Sequence, residues 1–142
     1  VQYNANKMHH LASGGDDGML KVWDMRRFVS PLAVVEAHDH WISSIRFNPF
    51  HDQLMLSSST DCTVKLWNLL AVSSAAAQNA QELETRASEA LLRTLNEYED
   101  SVYSTAWSAC TPWVFASVSY NGRVLMHQVP KDTKHKILLS QH

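Results

Sequence analysis

Cysteine is scarce in this 142-residue chain, with only Cys62 and Cys110 present. Once strands are placed, one falls in a tight turn and the other in a loop at the opposite end of its sheet. A disulfide is therefore not expected, and a reducing, cytosolic-side compartment fits better. Glycine-rich phosphate loops and Cys-x-x-Cys pairs are missing too, so the short motifs of nucleotide and thiol chemistry have no foothold. Charge of one sign is also lacking. Twelve Lys and Arg against 14 Asp and Glu leave a net charge of −2, which is no electrostatic footprint for nucleic acid. The small basic cluster Lys131, Lys134, His135 and Lys136 reads as a solvated tail. No apolar run approaches the ~18–20 residues of a membrane span. The richest, residues 69–77, is broken by Ser73 and Ser74, so direct membrane insertion is not expected. There is no signal peptide, and the chain opens on Val1 rather than Met. We read it as a fragment, for which a missing leader says little.

What is present is a repeat. Residues 37–68 run AHDHWISSIRFNPFHDQLMLSSSTDCTVKLWN. Alternating apolar positions at Ile42, Ile45 and Phe47 end at the turn pair Asn48-Pro49. A second run from Leu54 stops at Asp61, and a third closes on Trp67-Asn68. Three short runs with turn residues between them predict an antiparallel meander. Asp17 and Asp61, like Trp23 and Trp67, stand 44 residues apart, so LASGGDDGMLKVWD is an earlier copy whose His partner would precede Val1. A third copy lies 60 residues after the second. It puts Tyr98, Ser117, Asn121 and His127 where the second has His38, Ser57, Asp61 and Trp67. Asp17-Gly18 and Asn121-Gly122 are strong hairpin signals. Of the four polar positions, the third copy keeps only the Ser, so no polar relay is expected there.

His38, Ser57, Asp61 and Trp67 at these spacings resemble one repeat of the WD40 family, with Ser13, Asp17 and Trp23 in the matching places of the first copy. The resemblance implies a hydrogen-bonded chain from indole through hydroxyl and imidazole to carboxylate. Such groups satisfy one another where few waters reach. Ser57, His38 and Asp61 could also be written as a hydrolase triad, but that needs an exposed nucleophile and an oxyanion hole, and no glycine-rich elbow surrounds Ser57. His38-Asp39-His40 could suggest a metal pair, yet His38 is committed to the relay. We therefore expect no catalytic, metal or cofactor site.

The fold expected is all-β, a WD40 β-propeller fragment of about three blades, the C-terminal part of a seven-bladed ring. Residues 1–36 make a partial blade with Leu32 to Val35 as outer strand. Residues 37–97 make a full blade whose outer strand is residues 92–95, and residues 98–142 a degenerate blade and tail. In that tail Ile137-Leu138-Leu139 suits either a last outer strand or a capping segment. The offsets of 60 and 44 place a 16-residue insertion within residues 70–91. Its Ala, Gln and Glu favour helix, but a short isolated helix is marginal in water. We expect a solvated loop there, with a segment that folds on a partner as the sharper alternative. Three blades do not close a ring, so the polypeptide alone should be poorly soluble or self-associate through its open faces.

Within the family the chain resembles the adaptors of endosomal retrieval, through HLASGGDDGMLKVWD, AHDHWISSIRFN, HDQLMLSSSTD, EDSVYSTAWS, PWVFASVSYNGRV and VPKDTKHKILL. The resemblance implies a non-enzymatic scaffold for EARP- and GARP-type tethering complexes. It would be cytoplasmic and peripheral at endosomes and the trans-Golgi network, acting in retrograde and recycling transport and in dense-core vesicle maturation. The insertion occupies the place of an acidic loop in those adaptors but is less acidic here. Trp41, Thr60, Tyr103 and Tyr120 are the candidate partner-binding residues, on the face that WD40 proteins most often use, since Trp and Tyr are common interface anchors. A separate reading starts from Trp23-Asp24-Met25-Arg26, which matches the W-D-x-R motif of cullin-4 ubiquitin ligase receptors. There Arg26 would grip the ligase adaptor with a planar, bidentate donor.

Overall fold

The computed structural model describes residues 1–71 and 80–141. Eleven strands make three antiparallel sheets among these residues. The first contains β1 (Gln2–Tyr3), β2 (His10–Gly14), β3 (Met19–Asp24) and β4 (Ala33–Glu36), paired in chain order. The second repeats this with β5 (Ile42–Phe47), β6 (Leu54–Ser59), β7 (Val64–Asn68) and β8 (Leu91–Leu95). The third has only β9 (Val102–Trp107), β10 (Val114–Ser119) and β11 (Val124–Gln128). Each sheet is a propeller blade, and β5 lies against β1 and β2 on one side and β9 on the other. The architecture is a partial β-propeller.

The cores lie between blades. Ala12, Leu20, Val22, Ala33 and Val35 of the first blade meet Ile45, Phe47, Met55 and Trp67 of the second. Leu54, Leu56, Val64, Leu66 and Leu95, from the other side of the second blade, meet Tyr98, Val102 and Phe115 of the third. The middle blade is thus covered on both faces, and all six residues of β6 are buried. Its second half is Ser57-Ser58-Ser59, small hydroxyls that fit a tight double-sided seam because each finds a partner. Ser57 bonds His38 and Trp67, Ser58 bonds Ser43, and Ser59 accepts from Asp61 N.

Polar contacts pin the blades together. Phe47 N donates to Gln2 Oε1 at 2.7 Å, Asn48 Nδ2 to the Pro112 carbonyl at 2.7 Å, and Trp107 Nε1 to the Arg46 carbonyl at 3.0 Å.

Two segments depart from expectation. Much of the insertion is not a solvated loop: its second half is helix α1 (Ala80–Ala90), which docks on β4 and on the 3-10 turn Leu69–Ala71. Ala90 is buried in the first core, with Ala87 and Leu91 packed against it. An 11-residue helix too short to persist alone is held, among the described side chains, by Ala87 and Ala90. The remainder of the insertion, residues 72–79, lies outside the described residues. The tail is not a last outer strand but helix α2 (Lys131–Ser140), which starts after Pro130 and buries Thr133 and Ile137. Those two positions are four apart, one helical face, and Leu138 and Leu139 are left exposed.

Candidate protein-interaction face

The β4–β5 and β8–β9 loops and the β2–β3, β6–β7 and β10–β11 turns gather at one end of the molecule, held by the buried relays. In the second blade Trp67 Nε1 donates to Ser57 Oγ at 2.9 Å. Ser57 donates to His38 Nε2 at 2.7 Å, and His38 Nδ1 donates to Asp61 Oδ2 at 3.0 Å. This order of donors requires a neutral imidazole protonated on Nδ1. Burial pushes the His38 pKa below its ordinary value, with Asp61 only partly opposing it. Asp61 is itself lowered: burial works upward, but hydrogen bonds from Thr63 and then the His38 imidazole and Asp39 N outweigh it. Ser57 is fully buried and its oxygen is already an acceptor for Trp67, so it is no nucleophile.

In the first blade Trp23 Nε1 donates to Ser13 Oγ at 2.8 Å, and Asp17 Oδ1 accepts Met19 N at 3.0 Å, closing its own turn. The third blade, where no relay was expected, has one. Tyr98 Oη lies 2.5 Å from Ser117 Oγ and 3.3 Å from His127 Nε2. Tyr98 takes the place of the His, while His127, at the position of the Trp, bonds Tyr98 rather than the serine; burial raises the Tyr98 pKa and lowers that of His127.

The turns these relays brace share one backbone geometry. Gly18, Cys62 and Gly122 hold the same place and have φ of +73°, +66° and +81°. Cys62 and Cys110 are both free thiols.

On this frame sit the aromatic candidates. Trp41, Tyr103 and Tyr120 are 58%, 43% and 68% exposed. Backbone contacts tie their loops into one chain. Thr60 N donates to the Trp41 carbonyl at 3.0 Å and Tyr120 N to the Ser101 carbonyl at 2.9 Å. Ser101 Oγ in turn donates to the Thr60 carbonyl at 3.1 Å. The Tyr103 and Tyr120 rings lie 5.0 Å apart, and His40 stands 5.8 Å from the Trp41 ring while bonding Thr60 Oγ1 at 2.8 Å. The structure therefore brings Trp41, Thr60, Tyr103 and Tyr120 to one end, and adds His40 and Ser101, which sequence reading missed. Their only signal was position in the loop before the innermost strand.

Arg26 is elsewhere, in the loop after β3 at the opposite end. Its Nε and Nη2 donate to the two carboxylate oxygens of Asp24 at 3.0 and 2.7 Å. That pairing holds Asp24 well below the usual carboxylate range. The bidentate face of the guanidinium is spent within its own motif, though the side chain remains 63% exposed. Among the described residues no cluster of three or more His, Cys, Asp or Glu could hold a metal ion, and no helix is long and apolar enough to cross a membrane.

The family models agree with this geometry. One described as the EIPR1 beta-propeller matches residues 1–67, and one described as WD domain, G-beta repeat matches residues 89–127. The chain belongs to the WD40-repeat family. Among curated proteins, this WD40 chain is 40% identical to an EARP-interacting protein homolog of Gekko japonicus. It is 39% identical to the EARP and GARP complex-interacting protein 1 of Homo sapiens. Both alignments cover 98% of the chain and 40% of the relative. EARP-interacting protein 1 of Caenorhabditis elegans is 38% identical, with 99% of the chain and 41% of the relative covered. The chain thus spans about two-fifths of the length of these relatives.

Proposed function

We propose that this chain belongs to a non-enzymatic adaptor that binds EARP- and GARP-type tethering complexes through the aromatic end carrying Trp41, Thr60, Tyr103 and Tyr120. The names of the relatives supply the class of partner. The observation that carries the site is the exposed set of Trp and Tyr side chains on loops braced by buried relays, the arrangement expected of a rigid interface anchor. In this reading the protein works in the cytoplasm, peripheral to endosomes and the trans-Golgi network, in retrograde and recycling transport and in dense-core vesicle maturation. The chemistry is surface complementarity.

The cullin-4 reading places the contact at Arg26 instead. It is the lesser of the two, because Asp24 already occupies the guanidinium fork. Co-purification from cells, read by mass spectrometry, separates them. Wild type and Arg26→Ala should recover tethering-complex subunits equally, and Trp41→Ala should lose them. Recovery of the cullin-4 adaptor, abolished by Arg26→Ala, would reverse that ranking.

A further inference from the structure

The two ends of this chain differ in charge. At the end carrying Arg26, Lys7 and Arg26 are paired with Asp52 and Asp24 at 3.1 and 2.7 Å, and Arg27, Lys131, Lys134 and Lys136 share the surface with Asp132. At the aromatic end the exposed carboxylates Asp16, Asp39, Glu99 and Asp100 dominate. Glu99 is paired with Arg123 at 3.8 Å. Lys65, which also reaches these loops, is turned inward onto the Ala37 carbonyl. Asp16, Asp39 and Asp100 have no ion-pair partner among the described residues. They flank the aromatics: Asp39 is two residues before Trp41, Asp16 follows Gly15, whose carbonyl accepts Ile42 N at 3.1 Å, and Asp100 precedes Ser101, which holds Tyr120.

Resting on the adaptor reading above, we infer that the aromatic end takes an arginine- or lysine-bearing segment of the partner protein. Exposed indole and phenol faces attract a cation through their quadrupoles, most strongly Trp. Guanidinium is suited to stack on a ring while its edge donors reach carboxylates. An acidic segment would meet Asp39 and Asp100 unpaired. The unpaired carboxylates Asp16, Asp39 and Asp100 also steer a cationic segment toward this end.

The test uses the full chain and two fluorescein-labelled peptides, tetra-arginine and tetra-glutamate, followed by fluorescence anisotropy. Tetra-arginine should bind and tetra-glutamate should not. Trp41→Ala should weaken binding by about tenfold, the scale of an interface anchor. Asp100→Asn, which keeps the shape and removes the charge, should weaken it by roughly threefold, and salt should weaken it further. Arg27→Ala at the other end should leave it unchanged. Equal binding of the two peptides, or binding indifferent to both Trp41→Ala and Asp100→Asn, would overturn the inference. A co-purification in excess tetra-arginine distinguishes this failure from that of the adaptor reading. Tethering subunits displaced by the peptide support the basic segment. Subunits that stay bound in wild type, yet are lost in Trp41→Ala, keep the adaptor and sink the basic ligand. No tethering subunits in wild type even without peptide would sink the adaptor reading, and the inference with it.

Discussion

The phenol of Tyr98 lies 2.5 Å from the Ser117 hydroxyl, both side chains being buried between the second and third blades. Tyr98→Phe keeps the ring in the core but strips Ser117 of a partner. The expected loss is about 1–2 kcal/mol, read as a lower urea midpoint with an unchanged slope. A neutral outcome would mean that this relay does not stabilise the blade.

Asp61 accepts from His38 Nδ1, Asp39 N and both polar groups of Thr63. Its counterpart Asn121 is exposed and serves only its own turn, accepting from Ser119 Oγ and Arg123 N. Asp61→Ala should therefore cost roughly 1–3 kcal/mol and Asn121→Ala clearly less. Equal losses in thermal melts would show that the 60-residue alignment of the two repeats is wrong.

The three left-handed turn positions should respond differently to substitution. A Cβ on Gly18 would sit 2.0 Å from the His38 carbonyl oxygen, whereas one on Gly122 meets nothing within 4 Å. Gly122→Ala should cost about 1–2 kcal/mol for the left-handed backbone alone, and Gly18→Ala considerably more. Cys62 already bears that strain at φ +66°, so Cys62→Gly should raise stability by up to about 1 kcal/mol. Calorimetry of the three variants gives the order directly.

Acid should weaken the fold in two stages. His38, His51 and His127 all have pKa values lowered from 6.5 by burial. Each stays neutral when folded and charges more readily when unfolded, so its contribution is complete above pH 6.5 and is lost as pH falls through its folded pKa. Asp61, lowered from 3.8, adds a second loss below that value. Melting temperature should fall on going from pH 7 to 5 and again below pH 4. A curve flat between pH 7 and 5 would contradict the neutral His38 tautomer.

Blade three turns Val124 and Met126 outward, 62% and 74% exposed, on the face opposite its core. Blade one presents Tyr3 and Trp23 on the face away from blade two. These faces correspond to the two sides of the seams already packed within the molecule, so the isolated 142-residue polypeptide should self-associate head to tail. Sedimentation should show assembly that rises with concentration and is suppressed by Met126→Glu. A monomer at all concentrations would count against it.

Much of this was legible along the chain. The 44-residue spacing of Asp17 with Asp61 and of Trp23 with Trp67, together with the turn residues, predicts the blades because local hairpins are specified by nearby residues. The outer strands β4 and β8 followed from short apolar runs at the right distance. The candidate face was legible only as loop positions. His40 and Ser101 carry no pattern of their own, and which loops touch depends on how one blade seats on the next.

The sequence by itself determined the repeat, the strand order and the polar residues of the first two blades, since all are periodic and local. Only the tertiary structure decided that Tyr98 and His127 rebuild a relay, because a hydrogen bond depends on a donor and acceptor meeting, not on which residue supplies them. It also decided that α1 is docked and that residues 131–140 are helix. In both, the outcome turned on which surface lay within reach to cover Ala87, Ala90, Thr133 and Ile137, and burial against a distant blade cannot be seen in a local pattern.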